Sequence, residues 1–494
     1  MPTTSSTPDV VVIGSGPNGL AAAVTMARAG FEVLVLEAEE TIGGGARTLD
    51  LGLAPGIRHD ICSAVHPMAL ASPFFQAFDL KARGVELISP EASYAQPLDH
   101  EPAVMAWRDL RRTAEGLGAD GAVWERLFSR MGAQAEAIVE VALSDKRSVP
   151  RALFSPAALP ALATFGAMAG LQGTSLWNLP LRRQRARALL TGVAAHAIGA
   201  LPSLAPSATG MLLALLAHRG GWPIPRGGSQ AIIDALVADL EAHGGSIVTG
   251  HRVRSTADVP SARVVLADLT ADAVADILED DLPASLLAQL RNFGHGQAAA
   301  KVDFVASAPI PWRDAEVSQA GTAHLGGTRE QMAEAEAQVM AGALPEQPVV
   351  LVSDPASVDP GREVDGLRPV WAYAHVPFDC PVDPTEIVTA QIERFAPGFR
   401  DTIVAAQGIP ASRMHEHNAS LIGGDIALGS LSAYRMLARP TPSADPYQLG
   451  STCWFLCSSA TPPAPGVHGM SGWHAARRAL HAVFQRHDLP SLAP

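Results

Sequence analysis

Residues 14–19 read Gly-Ser-Gly-Pro-Asn-Gly, directly after the β-branched run Val10–Ile13 and at the opening of the Ala-rich stretch Gly19–Ala29. Gly14 permits a tight turn, Gly16 lets the backbone approach a diphosphate, and Gly19 lets a helix pack against a strand. A helix starting here points free N–H groups and its positive dipole end at the phosphates. A second apolar run, Phe31–Leu36, closes at Glu37, the position of a ribose-binding carboxylate. A carboxylate there accepts both ribose hydroxyls of an adenosine and repels a 2′-phosphate, which disfavours NADP. Dinucleotide contacts are therefore expected on Gly14, Gly16, Pro17, Asn18, Gly19, Glu37 and Ala38.

The elements that must position these residues follow from periodicity. Val10–Ile13 and Phe31–Leu36 are continuous apolar runs, as buried parallel strands require, and Gly30 stops the helix between them. Residues 76–220 read as mainly helical, with prolines spacing the segments. Ile232–His243 reads as an amphipathic helix. Strands are expected at 246–248, 251–254, 263–267, Ala299–Val305, Val349–Val352 and Val370–His375. Asp383–Phe395 reads as a helix, Cys453–Cys457 as an apolar strand, and 470–486 as a final helix after a Gly-rich turn. The pattern predicts an α/β chain with a Rossmann-type domain assembled from residues 1–75, 221–298 and 446–494. An α+β substrate domain, 76–220 with 299–445, fills the intervals, and its part 105–220 is mainly helical.

Two further segments carry a family resemblance. Residues 42–47, Ile-Gly-Gly-Gly-Ala-Arg, resemble the second glycine motif of the flavin amine oxidase and phytoene desaturase superfamily. Gly466-Val-His-Gly-Met-Ser-Gly472, between the last strand and the last helix, resembles the segment that closes the flavin site there. Trp222-Pro-Ile-Pro-Arg-Gly-Gly-Ser-Gln230 is similar to the family's Pro-x-Gly-Gly segment, and Arg252-Val253-Arg254 to the strand that pairs with adenine. With His59-Asp60 and His66-Pro67, the pattern is most similar to the branch labelled pyridine nucleotide-disulphide oxidoreductase domain proteins. The resemblance covers nearly the whole chain and implies FAD as cofactor on a glutathione reductase-like domain. It adds Gly44, Gly45, Ala46, Arg47, Val253, Gly466, Val467, Gly469 and Met470 to the expected contacts, with Arg47 beside the pyrophosphate and flavin. The closing helix would direct its dipole at the charge developing on the N1–C2=O edge of a reduced flavin.

Flavin chemistry asks the protein mainly to hold a C–H against the cofactor and exclude water. Lys301, inside a predicted strand before the loop 307–312, resembles the amine-oxidase lysine that holds a water at flavin N5; otherwise its stem is buried and its head reaches the surface. His468 stands in the closing loop, where it meets flavin or substrate, or else ties the loop. His59 and Asp60 stand where the chain should leave the nucleotide domain. His415-Glu416-His417 lacks a third placed ligand, so no metal is expected.

The formal charge of −13 argues against a nucleic-acid partner, and the cluster Arg182, Arg183, Arg185 and Arg187 reads as a solvated helix face. The four cysteines show no Cys-x-x-Cys, so the disulphide part of the family label finds no support; Cys453 and Cys457 are expected in the core. A reducing cytoplasm fits, the start MPTTSSTPDV lacks a secretory signal, and no transmembrane span is expected. The greasy stretches 152–176 and 188–216 read as buried helices, or as a peripheral membrane contact or the wall of an apolar tunnel. The leading expectation is an FAD-dependent dehydrogenase or desaturase of an apolar, isoprenoid- or lipid-like substrate. An amine oxidase, a redox-neutral C=C isomerase, a non-catalytic flavoprotein partner and a homo-oligomer all stay open.

Overall fold

The computed structural model describes residues 7–145 and 148–494. Five strands form a parallel sheet in the order Trp454–Leu456, Val264–Ala267, Val10–Ile13, Val33–Leu36 and Ser246–Val248. Val10–Ile13 is central and wholly buried, which is why it reads as an unbroken apolar run. The strands come from three distant stretches of chain, so the nucleotide fold is assembled from separate pieces. Helix Pro17–Arg28 follows the first strand, with Pro17 in its first turn where no N–H is needed, and crosses the closing helix Met470–Ala482 at short range.

A second sheet of seven strands runs in the order Ile403–Ile409, Ala298–Ala306, Arg368–Val376, Val350–Ser353, Ala320–Leu325, Ala92–Gln96 and Val104–Trp107. Alternation splits its two faces. Val302, Phe304, Val350, Val352, Ala372 and Ala374 pack on one side in a core with Val388, Ile392 and Phe395 of helix Thr385–Phe395. Lys301, Asp303, Trp371, Tyr373, His375 and His324 share the other face, which the register places in adjacent rows. An all-apolar inner face would pack well; a polar and aromatic one marks the wall of a site.

Residues 251–254 form no strand. The supposedly helical 76–220 contains Leu87–Ile88, Ala92–Gln96 and Val104–Trp107, and the last two belong to the seven-stranded sheet. Cys453 is exposed, because the strand starts only at Trp454, whereas Cys457 is buried; all four cysteines are free thiols. Of the greasy helices, Leu204–Arg219 is deeply buried, but Phe154, Leu159, Leu176 and Leu179 remain exposed. No helix among the described residues is long and apolar enough to cross a membrane.

Candidate functional site

One cavity of about 640 Å³ joins the two sheets, inside the range of small-molecule sites. Its first arm runs along the carboxyl ends of the parallel strands. Gly14, Gly16, Pro17 and Asn18 form the turn at its base, Glu37 and Ala38 flank it, and Val253 lines it without strand pairing. Gly44, Gly45 and Arg47 stand beyond, and Gly466, Val467 and His468 face them. The two ends of the chain thus meet at one space. Gly19, Ala46, Gly469 and Met470 do not line it. Gly19 N–H donates to Asp268 and Met470 N–H to His468, so two of these four fix lining side chains.

The polar groups of this arm are organised for a dinucleotide. Glu37 Oε2 accepts from Ser15 N–H at 2.9 Å and from Ser15 Oγ at 2.5 Å, while Oε1 accepts from Glu39 N–H at 2.9 Å. These bonds hold the carboxylate at the mouth of the glycine turn. Arg47 is 4% exposed, and its guanidinium donates to Gly44 O, Thr41 Oγ1 and His417 O, with no carboxylate partner among the described residues. Burial pulls its pKa down, with Glu37 and Glu39 opposing from a distance. A buried cation bonded only to neutral oxygens is costly unless an anion joins it, and the pyrophosphate of FAD would supply that anion. The residues therefore fit the cofactor: Glu37 would hold the ribose, the glycine turn and Arg47 the pyrophosphate, and the 466–468 loop the flavin ring.

Asp268 went unnoticed in the sequence, although a polar residue ending a buried parallel strand beside a glycine fingerprint was a usable signal. Its Oδ2 accepts from Gly19 N–H at 2.9 Å, and burial pushes its pKa up to about 7, against the Gly19 N–H and with help from the Glu37 charge.

His468 is fully buried, and its tautomer is fixed. Nε2–H donates to Ala464 O at 2.9 Å, and Nδ1 accepts from Met470 N–H at 3.0 Å. Burial lowers its pKa to about 4. Both ring nitrogens serve the loop, so the loop-tying alternative describes what this ring does. Lys301 is buried rather than reaching the surface, and it pairs with Asp303, whose other oxygen lies 3.3 Å from His59 Nδ1. Burial works against the Asp303 charge, yet Lys301 and His59 hold its carboxyl below the usual range. Lys301 and His59 thus form one buried chain that does not itself line the cavity. Cys62 does line it. Burial pushes its thiol up, opposed by Lys301 and Arg47. Asp60 stands apart as an anchor, accepting from Thr48 Oγ1, Ser229 N–H and Arg362 Nη1.

The second arm is walled by Leu212, Leu213, Trp222, Leu351, Trp371 and Tyr373. His66, known from the sequence only as part of a motif, stands where the arms join. Ser229 Oγ donates to Ser63 O at 2.6 Å, so the 2.8 Å contact with His66 must run from His66 Nε2–H to Ser229 Oγ. Nδ1 then carries a lone pair, buried and without a partner among the described residues. Burial holds this imidazole neutral, with a pKa of about 4.

Comparison with known proteins agrees with this geometry. The NAD(P)-binding Rossmann-like domain family matches residues 12–78. The chain is 25% identical to pyridine nucleotide-disulfide oxidoreductase domain-containing protein 2 of Rattus norvegicus, across 97% of this chain and 93% of that protein. It is 30% identical to hydroxyneurosporene desaturase of Cereibacter sphaeroides across 48% of each. The fold is similar to that of cyclohexylamine oxidase from Brevibacterium oxydans, with a TM-score of 0.58 at 16% identity, covering 97% of this chain and 100% of that one.

Proposed function

We propose that this chain, a member of the FAD-dependent oxidoreductase superfamily of phytoene desaturases and flavin amine oxidases, dehydrogenates an apolar, lipid-like substrate. One observation carries the reading: the cavity changes character along its length. Its acidic lining residues, Glu37, Glu39 and Asp268, all stand at the nucleotide end, while the second arm is mainly aliphatic and aromatic and carries no carboxylate. Such a wall binds hydrocarbon by excluding water and offers no countercharge to an ammonium group. Bound FAD supplies the hydride acceptor. The protein's part is positional. Leu213, Trp371 and Tyr373 hold the substrate chain against the junction of the arms, and His66 presents a neutral acceptor nitrogen there. The Lys301–Asp303–His59 chain places a cation behind Cys62, where it favours negative charge at the junction.

Amine oxidation is the second reading. Trp371 and Tyr373, neighbours on one strand face with centroids 5.2 Å apart at 77°, furnish the aromatic wall that such a reaction uses. Anaerobic mixing with geranylgeraniol and, separately, with benzylamine distinguishes the two. Bleaching of the oxidised-flavin band by the isoprenoid is expected. Bleaching by the amine alone would favour the second reading. Conversion of the isoprenoid without bleaching would point to isomerisation.

A further inference from the structure

The apolar arm is not wholly apolar. His196 lines it along with Ala197, Thr209, Leu213 and Trp222. Its Nε2 lies 2.9 Å from Nε2 of His324, which is fully buried on the polar face of the large sheet. The ring stands edge-on to Trp222, with centroids 5.2 Å apart at 88°, so its direction is fixed from a second side. Behind the pair, Tyr94 lies 5.1 Å from His324, centroid to centroid. The Tyr94 hydroxyl, Gln96 Oε1 and His324 Nδ1 are buried without hydrogen-bond partners among the described residues.

Two imidazoles that meet nitrogen to nitrogen share a single proton: one donates through Nε2–H and the other accepts. Both are neutral, because burial lowers His196 to about 3 and holds His324 well below its ordinary value, with His375 adding to both. The pair thus has two tautomeric arrangements of one proton count. In one, His196 Nδ1 carries a hydrogen; in the other, it carries a lone pair. Either way Nε2 is taken, and Nδ1 is the ring nitrogen left to meet a ligand. A neutral nitrogen able to donate or accept, set in a hydrocarbon wall, discriminates by hydrogen bonding rather than by charge.

We propose that the His196–His324 pair is the polar point of the substrate arm and that it receives one uncharged oxygen, a hydroxyl above all, on an otherwise apolar substrate. This rests on the apolar-substrate reading of the same cavity and narrows it. A hydroxyl both donates and accepts, so it satisfies either tautomer. An ammonium group would stand beside two neutral imidazoles with no carboxylate on this arm. A plain hydrocarbon would bury His196 Nδ1 against nothing, leaving a polar atom unpaired.

Equilibrium binding to the FAD-loaded protein tests this, followed by quenching of tryptophan emission with farnesol and with farnesene, the same chain lacking the hydroxyl. Farnesol is expected to bind about ten-fold more tightly, the worth of one neutral hydrogen bond whose loss leaves a buried group bare. His196→Phe should weaken farnesol about ten-fold while leaving farnesene unchanged or tighter. His196→Gln, which keeps a donor and an acceptor, should restore much of the preference. Equal affinity of the wild type for both probes, or an equal loss of both in His196→Phe, would overturn the inference and leave the apolar-substrate reading standing. Failure of both probes to bind would overturn that reading and this inference with it.

Discussion

Gly472 and Asn18, far apart in sequence, touch where the closing helix crosses the first helix: a Cβ on Gly472 would lie 1.8 Å from the Asn18 carbonyl oxygen. The obstruction is backbone, which cannot rotate aside. This crossing sets the closing helix, and through it the 466–468 loop, against the glycine turn that begins the nucleotide site.

Gly472→Ala therefore tests how far the closure depends on that contact. The added methyl must spread two helices, an overpacking cost of about 1–3 kcal/mol. Thermal unfolding should move down, and retained FAD, read from the flavin-to-protein absorbance ratio, should fall with it. A variant with unchanged melting and full flavin content would mean that the helices separate without consequence for the site.

Glu37→Arg should give protein that purifies almost colourless, because it removes the ribose acceptor and places a second cation near Arg47. Glu37 also accepts from Ser15 and Glu39, so turn collapse must be separated from lost recognition. Glu37→Gln keeps an acceptor oxygen and should retain FAD more weakly, by about ten-fold for one charge-assisted bond. A yellow Glu37→Arg protein would remove this residue from the binding site.

The legible part of this molecule was the part written locally. The glycine fingerprint, the apolar runs of the parallel sheet and the Gly-rich closing turn each carry their own signal, and the structure brings all three to one cavity. Pairing between distant segments was not legible. Ala92–Gln96 is buried on both faces and pairs with Ala320–Leu325, so neither shows the alternation that marks a half-exposed strand. Ile403–Ile409 is a partly exposed edge strand with a muted pattern. Asp268 and His196 escaped notice, and His66 was seen only as part of a motif, for a related reason. Each lines the cavity because separate elements converge on one space, and no single window of sequence records that convergence.

Lys301→Met should leave FAD bound and slow reoxidation of the reduced flavin by oxygen, measured by stopped flow. It also strands Asp303 as a buried carboxylate with only His59 beside it, at a cost of about 3–5 kcal/mol. The double variant Lys301→Met/Asp303→Asn removes that charge and should recover much of the stability without recovering the rate. If the double variant reoxidised at the wild-type rate, the lysine would be structural, and its kinetic role would be withdrawn.

His295 lies 3.4 Å from Asp272 and 3.6 Å from Asp425, and its ring stacks on Phe378 at 5.3 Å. Asp272 belongs to helix Ala271–Ile277 of the nucleotide domain, and Asp425 holds the turn through Ala427 and Gly429, so the imidazolium joins the two regions. Bonds from Asp272 and then Asp425 raise its pKa to about 9 from 6.5, with burial opposing. Because the folded state binds this proton more tightly than the unfolded one, the stabilisation is complete below pH 6.5 and fades as pH rises through about 9. The ring is 24% exposed, so the full shift is discounted for solvent screening to about 2–3 kcal/mol. Denaturant midpoints of the wild type should fall between pH 6.5 and 9, whereas His295→Gln should start lower and stay flat across the same interval. Parallel pH profiles for the two proteins would show that this histidine carries no proton in the folded chain at neutral pH.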